Sequence, residues 1–189
     1  MHKDGEHSVT KQVTTRINGL KKITRIADFK TRLNVATGIV QSKLQYLMPL
    51  WIGAPEYLIK ALQVQQLNAA RTVCGYGSYF WSTSKLLEKC KWLSVKKQMV
   101  ASTLIVAHGI VMSGVPLNIN ASFSLQHPYR TRQASTGRIR FTEKSVSEKT
   151  FRFQARKYYN LIPSELREKG QLQFKRLIKK WVRDNIPIR

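Results

Sequence analysis

The sequence predicts a mainly α-helical protein, with a helical bundle over residues 8–115, a basic connector over 116–150 and a small helical unit over 151–189. Three observations lead there. Apolar residues recur at spacings of three and four through most of the chain, which places them on one side of a helix. Ser8, Asp28, Pro55 and Gly75 stand where such stretches begin or end, as capping and breaking residues do. From Asn118 to Thr150 the helical period is replaced by Ser, Asn, Gln and basic residues.

Residues 1–7 are polar and are expected to be disordered. Ser8 can cap a first helix with the stripe Val9, Val13, Ile17, Leu20, Ile23 and Ile26, whose other faces carry Lys11, Arg16, Lys21, Lys22 and Arg25. Those cations face either solvent or phosphate. Asp28 can cap a second helix with Phe29, Leu33, Ala36, Val40, Leu44 and Leu47 in register, widened by Val35 and Ile39. Tyr46, Pro49 and Trp51 then predict a buried corner, because proline blocks helix continuation and large aromatics on either side need a core.

A third helix is expected from about Pro55 to Cys74, burying Leu58, Leu62, Ala69 and Val73, with Gln63, Gln65, Gln66 and Asn68 on its flanks. Three sequential helices with short connections suggest an antiparallel bundle. The loop after Gly75 holds Tyr76, Tyr79, Phe80 and Trp81; such a cluster more often covers the end of a core than stacks on bases. A short helix over about Ser84–Cys90 follows, and Ser94 can cap the next one.

That next helix raises the question of a membrane, since no charged residue occurs from Gln98 to Tyr129. Ser102, Thr103, His108, Gly109, Ser113 and Gly114, followed by Pro116, argue instead for a buried core helix with Val95, Met99, Val106 and Ile110 on one stripe. His108 is expected to be a hydrogen-bonded histidine, because no second metal-type residue lies at helical spacing. In the connector Arg130, Arg132, Arg138 and Arg140 alternate, so each pair projects to one side of an extended chain and suits a phosphate backbone or a solvated loop.

The aromatic density from Phe151 to Ile162 predicts a helix through about Leu161, with a short hairpin over 138–153 as the alternative. Ser164 can cap a turn that Gly170 closes. The final helix is expected to bury Phe174, Leu177, Ile178 and Trp181 and to present Lys175, Arg176, Lys179, Lys180 and Arg183.

Composition bounds the function. The 189 residues carry 33 Lys and Arg against 10 Asp and Glu, a formal charge of +23 that repels itself unless a polyanion neutralises it. Residues 116–189 alone supply 17 basic against 5 acidic side chains. A hydrophobic content of 42% argues against a basic tail disordered throughout. Cys74 and Cys90 are too few for a four-ligand zinc site or a stapled secreted fold, and no hydrophobic leader opens the chain, so a reduced, intracellular protein is expected.

Catalytic signatures are missing: no Walker-type loop, Gly-x-Ser-x-Gly elbow or His-Glu-x-x-His pair occurs. Asp4, Asp28 and Asp184 are scattered, with no paired aspartates to hold two metal ions. The residues therefore predict no catalytic site, no metal and no cofactor in this chain.

The succession Ser42-Lys-Leu-Gln-Tyr-Leu-Met-Pro-Leu-Trp51, Gln66-Leu-Asn-Ala-Ala-Arg71-Thr-Val-Cys-Gly75 and Trp92-Leu-Ser-Val95 resembles the segment after the polymerase palm in reverse transcriptases of non-LTR (LINE-type) retrotransposons. Phe151-Arg-Phe-Gln-Ala-Arg-Lys-Tyr-Tyr-Asn160-Leu-Ile-Pro163, then Phe174-Lys175 and Lys180-Trp181-Val182, is similar to the tail of that family. The resemblance runs from about residue 8 to near the end. It implies a thumb-like helical bundle that grips a template–primer duplex of RNA and DNA, followed by a C-terminal extension. The family's Phe/Tyr-x-Asp-Asp motif, with fingers and palm, is expected upstream of Met1, and that fingers–palm portion is an expected partner.

The implied role is non-catalytic nucleic-acid binding in a nuclear or cytoplasmic ribonucleoprotein, with a structural or protein-interaction fragment, or a truncated retroelement remnant, as the alternative. Lys21, Lys22, Arg25, Arg32 and Lys43 are the candidate backbone contacts in the bundle, and Arg130, Arg132, Arg138 and Arg140 those in the connector. Arg71, near a helix end, is expected either to cap carbonyls or to pair internally.

Overall fold

A computed structural model describes residues 3–115 and 148–187, with side chains from Val9 onward. Arg130, Arg132, Arg138 and Arg140, and most of the alternative hairpin over 138–153, lie outside the described residues. The described chain is helical, with no strand in it, and divides into two compact units.

The first unit comprises residues 1–46 and 54–96. Its helices are α1 (Lys3–Ile23), α2 (Phe29–Ala36), α3 (Ser42–Gln45), α4 (Glu56–Cys74) and α5 (Thr83–Lys89). Helix α1 starts inside the stretch expected to be disordered, so Ser8 is within the helix and not its cap. It buries Val13, Ile17 and Leu20, whereas Ile26, three residues past the helix end, is 90% exposed. Asp28 does cap α2: its carboxylate accepts from the Thr31 N–H, and hydrogen bonding from the Thr31 side chain first, then from that N–H, holds the carboxyl below its ordinary pKa.

The second helix is not continuous. A π-helical turn over Thr37–Gln41 separates α2 from α3. Widening the turn brings four-residue spacings closer into phase, and Ala36, Val40 and Leu44 are all buried. Arg16 Nη1 donates to the Ile39 carbonyl in this turn at 2.6 Å, tying α1 to it. Helices α1, α2 and α4 pack on one another, and α5 packs on α4. Their shared core holds Leu20, Ala36, Ala70, Val73, Leu86 and Cys90, with Phe29, Trp81 and Trp92 half-buried around it.

Pro55 occupies the cap position of α4, and Gly75 ends the helix with φ 87°. Gln66, expected on a flank, is fully buried. Its amide donates to the Leu93 carbonyl at 2.9 Å and accepts from Gln63 at 2.9 Å, while Gln63 Oε1 takes the Val95 N–H at 2.8 Å. Two glutamines thus latch the chain entering the next helix to α4, and full pairing makes burial of Gln66 tolerable.

Cys74 and Cys90 are free, with sulfurs 3.8 Å apart. Burial, and then the adjacent Cys74, push the Cys90 thiol up to about 12. Only thiolate reacts readily, so iodoacetamide near neutral pH is expected to alkylate half-buried Cys74 well before Cys90 in the folded protein, and both alike in urea, as read by peptide mass. Faster labelling of Cys90 would contradict this placement.

The second unit comprises residues 47–53 and 97–189. It contains a 3₁₀ turn over Met48–Trp51, α6 (Val95–Ser113, from Lys97 on), α7 (Phe151–Tyr159), α8 (Ser164–Arg167) and α9 (Gln171–Asn185). The expected buried corner is different in detail. Tyr46, in the first unit, is 65% exposed, and Leu47 adopts φ 53°, a left-handed conformation that turns the chain before Pro49. Met48 is the residue buried there, Trp51 is half-buried, and the 3₁₀ turn packs on α7.

Helix α6 is enclosed on several sides, with Met99, Val100, Leu104, Ala107 and Ile110 buried, while Val106 of the expected stripe faces out. Among the described residues no helix is long and apolar enough to cross a membrane. Thr150 caps α7, Pro163 and not Ser164 occupies the cap of α8, and Gly170, with φ −60°, opens α9 rather than closing the turn before it. Helix α9 buries Phe174, Ile178 and Val182; Leu177 is exposed and Trp181 half-buried, because the buried stripe is offset toward the i+4 positions.

His108 is the polar centre of this unit. It is fully buried, stacked on Phe174 at 3.9 Å and 13°. Its Nε2 lies 2.8 Å from the Lys169 carbonyl, which can only accept, so Nε2 carries the proton. Nδ1 then accepts from the Tyr159 hydroxyl at 3.1 Å. Burial pushes the imidazole below its ordinary pKa, with the Lys169 carbonyl acting the other way, and burial also pushes the Tyr159 phenol up to about 12.

The folded unit therefore holds fewer protons on His108 than the unfolded chain does. Its contribution to stability is complete above an unfolded pKa of about 6.5 and is lost as pH falls from there through the folded value. The urea midpoint is expected to drop between about pH 7.5 and about pH 5.5, and His108→Gln to flatten that slope. A slope unchanged in the variant would assign it to other groups.

Candidate nucleic-acid interface

The first unit carries an open groove of about 230 Å³ between α1 and α4. Helix α1 contributes Thr14, Asn18 and Lys21 over a floor of Ile17, and α4 contributes Gln65, Asn68, Arg71 and Thr72. Both sets follow spacings of three and four, so each is the polar stripe beside a buried apolar one. Thr14 Oγ1, whose hydroxyl donates to the Thr10 carbonyl at 2.9 Å, lies 3.3 Å from Gln65 Oε1 across the groove. Among the described residues no Asp or Glu lines the groove, and two cations do.

Tyr79 closes one side. Its position follows from Gly75, whose φ of 87° and ψ of −171° form a combination essentially restricted to glycine. The chain leaves α4 there and enters a 3₁₀ turn over Tyr76–Phe80. Ser78 points inward, its hydroxyl 2.6 Å from the Gly75 carbonyl and 3.2 Å from that of Arg71. With three residues per turn, Tyr76 and Tyr79 fall on the same outer edge and meet edge-to-face at 6.2 Å.

Tyr76 and Phe80 are each 95% exposed, and Tyr79 is 64% exposed. Of the cluster expected to cover the end of the core, Trp81 alone does so, joined there by Trp92; Tyr76, Tyr79 and Phe80 face out, because Ser78 takes the inward position of the turn.

The five predicted cations of the bundle separate. Lys21 lines the groove; Lys22, exposed and outside the groove lining, shares the last turn of α1 with it, where both complement the helix dipole, and Arg25 is exposed two residues past the helix end. Arg32 is half-buried and reaches Gly75: a Cβ built there would lie 3.6 Å from Arg32 Nη1. Lys43 is placed apart from the groove lining, its ammonium 5.6 Å from the centre of the Tyr46 ring.

No family model, curated protein or solved structure matches the chain.

Arg71, Asn68, Gln65, Thr72 and Tyr79 were not among the predicted site residues. A signal for them existed in the polar stripe Gln65, Asn68 and Thr72 at helical spacing, but nothing in the linear chain pairs it with Thr14, Asn18 and Lys21 of α1. Lys85, 4.7 Å from the Trp81 ring centre, and Lys89, 5.5 Å from that of Phe29, add cations over half-buried aromatics. Among the described residues no group of three His, Cys, Asp or Glu is placed to hold a metal ion. The groove offers amide and hydroxyl hydrogen bonds, two fixed positive charges and a ring, which is the chemistry that phosphate, sugar and base require.

Proposed function

We propose that this chain is a non-catalytic nucleic-acid-binding module, corresponding to the thumb and C-terminal portion of a non-LTR retrotransposon reverse transcriptase, that grips the backbone of an RNA–DNA template–primer. The observation that carries binding is the acid-free groove, in which Lys21 and Arg71 face an aromatic edge formed by Tyr79. The net charge of +23 and the ordered motifs from Ser42 to Pro163 support the same reading. Polymerase chemistry belongs in this proposal to a separate fingers–palm portion, and the working context is an intracellular ribonucleoprotein.

The test is the affinity of the full chain for an RNA–DNA hybrid as a function of salt. Neutralised phosphates release counterions, so log K is expected to fall linearly with log salt, and Lys21→Gln or Arg71→Gln to reduce the slope by about one each. Binding that is undetectable or indifferent to salt would sink the proposal. A structural or protein-interaction role draws support from the exposure of Leu161 and Leu172 in the second unit. Concentration-dependent self-association without nucleic acid, measured by sedimentation, would favour it.

A further inference from the structure

We infer that the groove between α1 and α4 takes one unpaired nucleotide, at the end of a strand or at a junction with duplex, with its base on the Tyr79 ring. The inference rests on the nucleic-acid-binding proposal and specifies which part of the ligand this site holds. Three features lead to it.

The groove is small. At about 230 Å³ it is below the range of about 300–1,000 Å³ typical of pockets that enclose whole drug-sized ligands, so it holds a single nucleotide unit of a strand rather than the stacked body of a duplex. Its polar groups also differ in kind along the walls. Lys21 and Arg71 supply charge for a phosphate, and the guanidinium can bind two phosphate oxygens at once. Asn18 and Asn68 supply amides that both donate and accept, which suits a sugar hydroxyl or a base edge but adds nothing specific for a second phosphate.

The third feature is the ring. A duplex hides the faces of its bases, so an exposed tyrosine on a groove wall has a stacking partner only where a base is unpaired. Tyr79 is exposed, is held by the buried Ser78 beside it and is braced edge-on by Tyr76.

The experiment compares two end-labelled RNA–DNA hybrids, one blunt and one with a short single-stranded overhang, by fluorescence anisotropy with the full chain. The overhang hybrid is expected to bind about ten-fold tighter, the gain typical of one base stacked on an aromatic side chain. Tyr79→Ala should remove that preference, so that overhang and blunt hybrids bind alike, and Tyr79→Phe should retain it. Independently of any variant, 5-iodouracil placed in the overhang should photocrosslink to Tyr79, identified by mass spectrometry. RNA and DNA overhangs tested in parallel report whether the 2′-hydroxyl matters.

Equal affinity of the unmodified chain for both hybrids overturns the inference while leaving the nucleic-acid proposal standing. So does an equal loss on both hybrids in Tyr79→Ala, or crosslinking confined to residues away from the groove. Binding of neither hybrid overturns both.

Discussion

Phe174→Ala is expected to destabilise the second unit by about 3–5 kcal/mol, the usual cost of emptying a buried aromatic site. Phe174 is fully buried on α9 and forms the platform on which His108 stacks at 3.9 Å. Truncation removes that contact and leaves a cavity beside an imidazole whose two nitrogens depend on fixed partners, the Lys169 carbonyl and the Tyr159 hydroxyl. If water enters the cavity or His108 tilts, those bonds weaken together, so the effect should approach the upper end of the range. Urea unfolding followed by tryptophan fluorescence in a Trp81→Phe, Trp92→Phe background measures it, since the remaining Trp51 and Trp181 both lie in this unit. Phe174→Leu should recover part of the loss. A change below about 1 kcal/mol would mean that the stack is not part of the core.

Gly75→Ala is the second large effect, and it separates structure from binding. At φ 87° and ψ −171° an alanine is strained by about 1–3 kcal/mol whatever space is available. The chain can relieve that strain only by moving the turn over Tyr76–Phe80, which carries Tyr79 away from Lys21 and Arg71. Stability of the first unit is therefore expected to fall, and the preference for an overhang to fall with it, while Ala54→Gly, on the same unit but away from the turn, leaves that preference intact. Thermal unfolding and the two-hybrid anisotropy assay read the two effects. A stable Gly75→Ala protein with unchanged overhang preference would show that the turn does not depend on this backbone conformation.

Much of the helical architecture was legible in the linear chain because helix periodicity is a local property. Val13, Ile17 and Leu20 on α1, and Leu62, Ala69 and Val73 on α4, are buried where their spacing places them. Asp28 and Gly75 mark helix ends through their own side-chain and backbone chemistry. The errors have physical causes of equal clarity. Gln66 was assigned to a flank because glutamine is usually exposed, yet a buried amide is stable once Gln63 and the Leu93 carbonyl complete its hydrogen bonds. Tyr76, Tyr79 and Phe80 were assigned to the core because aromatic clusters usually need one, yet in a 3₁₀ turn the inward position went to Ser78.

The candidate site was legible only in part. Lys21 belongs to it, and so does Arg71, whose place near a helix end predicts capping or internal pairing instead, but the groove exists only because residues about 50 positions apart face one another, as Thr14 and Gln65 do. The amino-acid sequence by itself determined most of the helices, the caps at Asp28 and Gly75, the +23 charge and the lack of paired aspartates, all of which depend on residue type and near neighbours. Tertiary structure decided that His108 is a buried, doubly bonded centre, that α1 and α4 leave a polar groove between them, and that a tyrosine closes it. The reason is that such features depend on which faces of distant helices meet, and spacing within one helix carries no record of its partner.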